Sequence, residues 1–324
     1  MAVSVRVEGM KELLISVLLC GSVIADHHEK KGVFATPEEA AKDADFALQG
    51  EYAGSYTNGD GEVKKVGIQV IALGEGEFRA VGYAGGLPGA GWDKNEPISS
   101  EATKAENGTV TFQKEEGAAI AVIENGGMTL LTPDKVDIGK FNKVSRTSPT
   151  VGAKPPEGAL ILFDGKNVEH WQDGAKMTED GLLMQGVNSK RNDLKDFDLH
   201  IEFRLPYEPK ARGQGRGNSG MYLLGTETQM LDSFGLKGEA NECGGLYPWK
   251  TPDVNMCLPP LTWQTYDVEF RAAKENQKST LTVKHNGVVI HDKVELKNQK
   301  AQGNIHLQDH GNPVRYRNIW VVEK

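Results

Sequence analysis

The stretch FDLHIEFRL, Phe197 to Leu205, decides the fold class. Phe197, Leu199, Ile201, Phe203 and Leu205 alternate with Asp198, His200, Glu202 and Arg204. A period of two places the apolar set on one face of a β-strand and the polar set on the other. Working outward, Ser219 to Leu224, Thr228 to Leu231, Tyr266 to Arg271 and Thr280 to His285 read as further short strands. Asn286-Gly287 forms a tight hairpin into Val288 to His291, and Asn304 to Gln308 and Tyr316 to Val322 close the set. Many short strands with few helices predict an antiparallel sandwich of jelly-roll type.

The first half also reads as β, and as a smaller domain. Gly67 to Leu73 and Glu77 to Tyr83 are joined by the Gly74-Glu75-Gly76 turn. Thr109 to Gln113, Ala118 to Glu124 and Met128 to Leu131 follow, with hairpin signals at Asn107-Gly108 and Asn125-Gly126. Helix is expected only over Thr36 to Leu48, where Thr36 caps, Pro37 takes the first helical position and Glu38 and Glu39 meet the positive end. The Gly-rich loop YAGGLPGAGW, Tyr83 to Trp92, lacks the G-K-S/T ending of a phosphate loop and reads as structural. TSPTVGAKPPEG, Thr147 to Gly158, reads as a linker. The expected organisation is therefore a segment 1–25 removed on export, a β-rich domain 26–146, the linker 147–158 and a sandwich domain 159–324.

The 324 residues suffice for two cores, and the net charge of −8 argues against nucleic acid, which needs a basic face. From Met10, a charged residue, the apolar run Leu13 to Leu19 and the small-residue site Val23-Ile24-Ala25 predict a signal peptide and an exported protein. That run is too short for stable membrane insertion. Export leaves Cys243 and Cys257, which bracket a Gly/Pro-rich loop. They are a disulfide in an oxidising compartment or else two separate buried thiols. The sequence leaves the oligomeric state open.

Polar side chains of chemical interest collect in the second half. QDHGNPVRYRNIWV, Gln308 to Val321, brings Asp309, His310, Arg315 and Arg317 to a strand entrance. Glu202 and Arg204, Asn218, Gln229 and Asp232 border other strands. A sugar site needs planar polar groups and flat apolar faces. Asn218, Gln229 and Arg315 offer the first; Trp171, Tyr247, Trp249 and Trp263 offer the second, with Trp249 the leading stacking candidate. No zinc-ligand spacing and no D-x-D-x-D-G calcium loop is present, so no metal is expected.

LFDGKNVEHW (162–171), FDLHIEFRLP, GNSGMYL (217–223), QMLDS (229–233), GGLYP, TWQTYDVEF, NGVVI and QDHGNPVRYRNI occur in one order across Ala159 to Lys324. Together they resemble the 3-keto-disaccharide hydrolase domain family. The first half resembles β-rich extensions that accompany this domain in planctomycete-type proteins. The segment Tyr207 to Arg216 is longer and more basic than in the simplest members, and the Cys243 to Cys257 loop is elaborated. The resemblance implies a concanavalin A-like jelly roll that cleaves a glycoside already bearing a 3-ketone. The C–H beside a ketone is acidic, so one base, an enolate stabiliser and a leaving-group acid suffice for elimination, with water adding back afterwards. Hydrolysis by two carboxylates is the alternative chemistry. Asp232 or His310 is the expected base, with Asp309 orienting His310. Arg315 or Arg204 is expected to stabilise the enolate, while Gln229, Asn218, Glu202 and Trp249 hold the sugar. With no nicotinamide fingerprint, no cofactor is expected and the ketone comes from another protein. A carbohydrate-binding module without catalysis is the rival reading, because jelly rolls serve both ends.

Overall fold

The computed structural model describes residues 32–297 and 300–324; the expected signal segment lies outside them. Gly32 to Lys324 form one compact unit. A single helical turn, α1 (Pro37–Ala40), opens it. Thr36 accepts from the Glu39 amide, and the Glu39 carboxylate returns to the Thr36 amide, a complete capping box. The helix expected to reach Leu48 stops there. Asp45 is drawn away to the Gly76 amide at 2.7 Å and to Lys104, so tertiary bonds override local propensity.

Eight strands follow: β1 (Gly50–Thr57), β2 (Val63–Gly74), β3 (Glu77–Ala84), β4 (Ile98–Thr103), β5 (Val110–Gln113), β6 (Ile120–Glu124), β7 (Gly127–Leu131) and β8 (Asp137–Val144). They form one antiparallel sheet in the order β4-β3-β2-β1-β8-β7-β6-β5. A bridge between Lys104 and Val110 brings its two ends together. Tyr52, Val70, Phe78, Phe112 and Phe141 fill the interior. At the β6–β7 turn Asn125 and Gly126 both take positive φ, 52° and 79°, as the hairpin signal requires.

The second half contains β9 (Leu160–Phe163), β10 (Leu183–Met184), β11 (Val187–Asn188), β12 (Phe197–Arg204), β13 (Ser219–Leu223), β14 (Thr226–Met230), β15 (Trp263–Arg271), β16 (Thr280–His285), β17 (Val288–Glu295), β18 (Ile305–Leu307) and β19 (Arg315–Glu323). One sheet runs β10-β19-β12-β15-β16-β17 with β9 on β19; the other runs β11-β18-β13-β14. Phe197, Leu199, Ile201 and Phe203 of β12 meet Met221, Leu223, Met230, Ile305 and Leu307 in a common core. This is the jelly-roll sandwich. Its strands are antiparallel, and its two inner faces alternate with outer ones.

Thr147 to Gly158 is not an exposed linker along its first part. Ser148 Oγ meets Thr265 Oγ1 at 2.6 Å, Thr150 donates to Asp267 at 2.7 Å and the Gly152 amide donates to Glu202 at 2.6 Å. This segment covers the polar face of β12, and His200 and Glu202 are buried under it. Covered polar groups must find partners, and the backbone of the crossing segment supplies them. The two cores also interleave. Ile71, Val81 and Tyr83 pack into the sandwich core, while Tyr207 and Leu261 pack into the other.

Candidate active site

The four-stranded sheet presents its second face outward. Met221 and Leu223 point into the core, so Gly220 and Tyr222 take the opposite face. Tyr222 lies opposite Glu227 on β14 and opposite His306 on β18, which in turn lies opposite Asn188 on β11. Asn188, His306, Tyr222 and Glu227 therefore form one polar row across all four strands. A second row adds Gln229, opposite Gly220, and Gln308, whose amide donates to the Gly220 carbonyl.

Glu227 is at the centre of the chemistry. Tyr222 Oη donates to Glu227 Oε2 at 2.7 Å, and Gln308 Nε2 donates to Tyr222 Oη at 3.2 Å. Burial raises the Glu227 pKa; the Tyr222 hydrogen bond and the charge of His310 oppose this without cancelling it. Burial and the same carboxylate push the Tyr222 phenol well above its ordinary value, so it stays a donor. The Tyr222 and His306 rings lie 5.4 Å apart. His306 Nδ1 is 3.1 Å from the Val187 carbonyl, which can only accept. Nδ1 therefore carries the proton and Nε2 presents a lone pair.

The sugar-holding amides stand beside this row. Asn218 Nδ2 and Gln229 Nε2 both donate to Gln214 Oε1, at 3.1 and 3.0 Å. Their own oxygens, Asn218 Oδ1 and Gln229 Oε1, are buried without a partner among the described residues and can accept from hydroxyls. Gln214 comes from the long basic insertion, which thus reaches the site. Tyr247 is 41% exposed and its amide donates to the Glu227 carbonyl, which puts an open aromatic ring at the edge of the row.

His310 is exposed on the loop after β18 and close enough to act on Glu227 electrostatically. That loop is anchored by Asn312, whose side chain donates to buried Glu208 at 2.6 Å. The structure thus groups Asn218, Gln229 and His310 and leaves the other expected residues elsewhere. Asp232 is buried in an ion pair with Arg216 at 2.7 Å, so it is not a free base. Asp309 accepts from its own turn, the Gly311 amide at 2.8 Å, and makes no hydrogen bond to His310 among the described residues. Arg315 and Arg204 lie opposite one another on the seven-stranded sheet, on the outer face. Arg315 donates to Gln185 and Arg204 to the Ala35 carbonyl. Glu202 shares that face, bound to Arg317, Asn318 and the Gly152 amide. Burial alone would raise its pKa, but these bonds and His200 hold it at about 2. Trp249 is half-buried with the Lys297 ammonium 4.9 Å over its ring. Trp171 is core, and Trp263 lies against Arg204 and Arg317.

Cys243 and Cys257 are free buried thiols, not a disulfide. Cys243 Sγ contacts Tyr266 Oη at 3.3 Å, and Cys257 Sγ faces the Leu231 carbonyl at 3.6 Å. Among the described residues no three His, Cys, Asp or Glu side chains group as a metal site.

Glu227, Tyr222, His306 and Gln214 escaped the sequence reading. The strand expected from Thr228 begins two residues earlier, at Thr226, which brings Glu227 into phase with Gln229. The alternation Ile305-His306-Leu307-Gln308 carried the same signal for His306.

No curated protein matches the chain. Two solved structures from Parabacteroides distasonis ATCC 8503, each named a "putative glycosyl hydrolase", are similar to it. One is 29% identical over 52% of this chain and 85% of its own, with a TM-score of 0.47. The other is 18% identical over 52% of this chain and 95% of its own, with a TM-score of 0.42. Residues 158–322, half of the chain and the whole sandwich, match the 3-keto-alpha-glucoside-1,2-lyase-like domain, and the protein belongs to that family.

Proposed function

We propose that this protein is an exported enzyme that cleaves 3-keto-glycosides by elimination, with Glu227 as the base. The observation that carries the reading is the Glu227 carboxylate, buried, raised in pKa and held by Tyr222 on the open face of the sandwich. A base is strongest when its pKa approaches the working pH, and burial moves Glu227 that way. Glu227 takes the proton from the carbon between the ketone and the glycosidic carbon. The C–H electron pair becomes the enolate, with its charge on the ketone oxygen. Once Glu227 has taken the proton, the Tyr222 O–H leaves the now neutral carboxyl and donates to that oxygen. As the enolate collapses, the C–O bond to the aglycone breaks and His310 protonates the departing oxygen. Water then gives its hydroxyl to the former glycosidic carbon and its proton to His310, and Glu227 returns its proton to the neighbouring carbon. His306 Nε2 and the oxygens of Asn218 and Gln229 accept from sugar hydroxyls. Two-carboxylate hydrolysis is less well supported, because Asp309 turns its carboxylate to the Gly311 amide.

The test is incubation with a chromogenic 3-keto-glucoside beside its unoxidised parent, in wild type and Glu227→Gln. Turnover of the keto substrate alone, lost by about a hundred- to ten-thousand-fold in the variant, supports the reading. Sugar binding without turnover of either substrate would make the domain a binding module.

A further inference from the structure

A cavity of about 400 Å³ lies where β3, β4 and the Gly-rich loop of the first half meet the turn at Gly235 to Lys237. That volume falls within the range of roughly 300–1,000 Å³ typical of small-molecule sites. Three cations line it, Arg79, Lys94 and Lys237, against one acid, Glu96. In a chain of net charge −8 this local excess runs against the whole. None of the three cations makes an ion pair among the described residues, although Glu101 lies opposite Arg79 in the sheet. Arg79 Nε is buried with no hydrogen-bond partner among the described residues, an unfavourable state that an acceptor would relieve.

The wall is aromatic. Trp92 packs edge-on against Tyr83 at 5.3 Å, and its indole N–H is fixed on the Asn95 carbonyl at 3.0 Å. Tyr83 is itself pinned to Gln69 at 2.9 Å. These bonds hold the half-buried Trp92 ring rigid, which lowers the entropy cost of stacking a ligand on it. Gly235 seats this turn on β2: a Cβ there would collide with Ile71. The cavity is thus built from both halves of the chain, and neither makes it alone.

We propose that this cavity is a second carbohydrate site, selective for an anionic saccharide whose ring lies on Trp92 and whose carboxylate or sulfate meets Arg79, Lys94 and Lys237. A flat apolar face suits a pyranose ring, and a guanidinium flanked by ammonium groups suits an oxyanion. The choice of a saccharide over other anionic rings rests on the proposed function, since the turn at Gly235 to Lys237 belongs to the same domain as the Glu227 site. The site serves binding and takes no part in the elimination, so it stands or falls separately from the role of Glu227.

The experiment is calorimetric titration of the full chain carrying Glu227→Gln with four probes: a glucuronate-bearing disaccharide, a sulfated disaccharide, their neutral counterpart and adenosine monophosphate. One or both acidic disaccharides should bind at least tenfold more tightly than the neutral one, and binding should weaken as salt rises. Which of them binds identifies the anion. Trp92→Ala and Arg79→Gln should each weaken that binding about tenfold or more, as should the exposed pair Lys94→Gln with Lys237→Gln, which keeps the test open if either of the first two fails to fold. Equal binding of the neutral disaccharide, preference for the nucleotide, no binding of any probe, or no effect of the lysine pair would each overturn the proposal.

Discussion

Glu227 occupies the space that a side chain on Gly220 would take. The two residues are diagonal neighbours on one face of the β13–β14 pair, where Gly220 lies opposite Gln229 and Glu227 opposite Tyr222, and a Cβ on Gly220 would strike Glu227 Oε1. The missing side chain lets the carboxylate lie flat over the strand within reach of Tyr222. Gly220→Ala should therefore swing Glu227 aside while leaving the core untouched. Stability should change by less than about 1 kcal/mol, while kcat/KM on the 3-keto substrate falls about a hundredfold, the scale of an ångström-level misplacement. Thermal melts beside single-turnover kinetics would check both halves; full activity in the variant would contradict the role of Glu227.

Tyr222→Phe separates positioning from packing. The Tyr222 hydrogen bond favours the charged form of Glu227, so its loss raises that pKa further. The acid limb of the kcat/KM profile should move to higher pH, and turnover should fall about a hundredfold as the enolate loses its donor. A purely structural tyrosine would lower activity without moving the limb.

Arg216→Met should cost about 3–5 kcal/mol in urea denaturation, because it leaves the Asp232 carboxylate buried without its partner. Arg216 also reaches the Ala72 and Pro209 carbonyls, so the loss falls at the seam between the two cores. A fully stable variant would reopen Asp232 as a chemical residue.

Thiol titration distinguishes the observed free cysteines from a bridge. With Cys20 replaced by Ser, the non-reduced, unfolded protein should give two thiols and the native protein none within minutes. Both side chains are buried. Zero thiols after unfolding would show the disulfide that the loop composition suggested.

Acid should release the segment that covers β12. Glu202 has a folded pKa of about 2 against an ordinary 4.5, so its contribution to stability is fully present above pH 4.5 and is lost as pH falls toward 2. Burial lowers the His200 pKa, but Asp267 and Glu202 together raise it, so His200 stays charged throughout that window. Proteolysis between Ser148 and Gly158 by an acid protease should accelerate below pH 4, and Glu202→Gln should remove the pH dependence. Equal cleavage rates at pH 3 and pH 6 would contradict the pinning.

Much of this protein is written locally. The alternation of Phe197 to Leu205 set one core strand, and Asn125-Gly126 and Asn286-Gly287 set two hairpins, because period and turn chemistry act within a few residues. The order of motifs from Leu162 onward was enough to place the second half in its family. Within the site, Asn218 and Gln229 were legible for the same reason: they border strands whose apolar phase was plain.

What only the tertiary structure decided is which polar side chains meet and which are already satisfied. Asp232, Glu202, Arg204 and Arg315 carry the right groups, yet each is taken by a partner distant in sequence, namely Arg216, Arg317, Ala35 and Gln185. Glu227 looked unremarkable in TETQM until Gly220, Tyr222 and His310 were brought beside it. Burial and charge act through space, over a few ångströms, so a carboxylate becomes a structural ion or a base according to neighbours that its own segment does not contain.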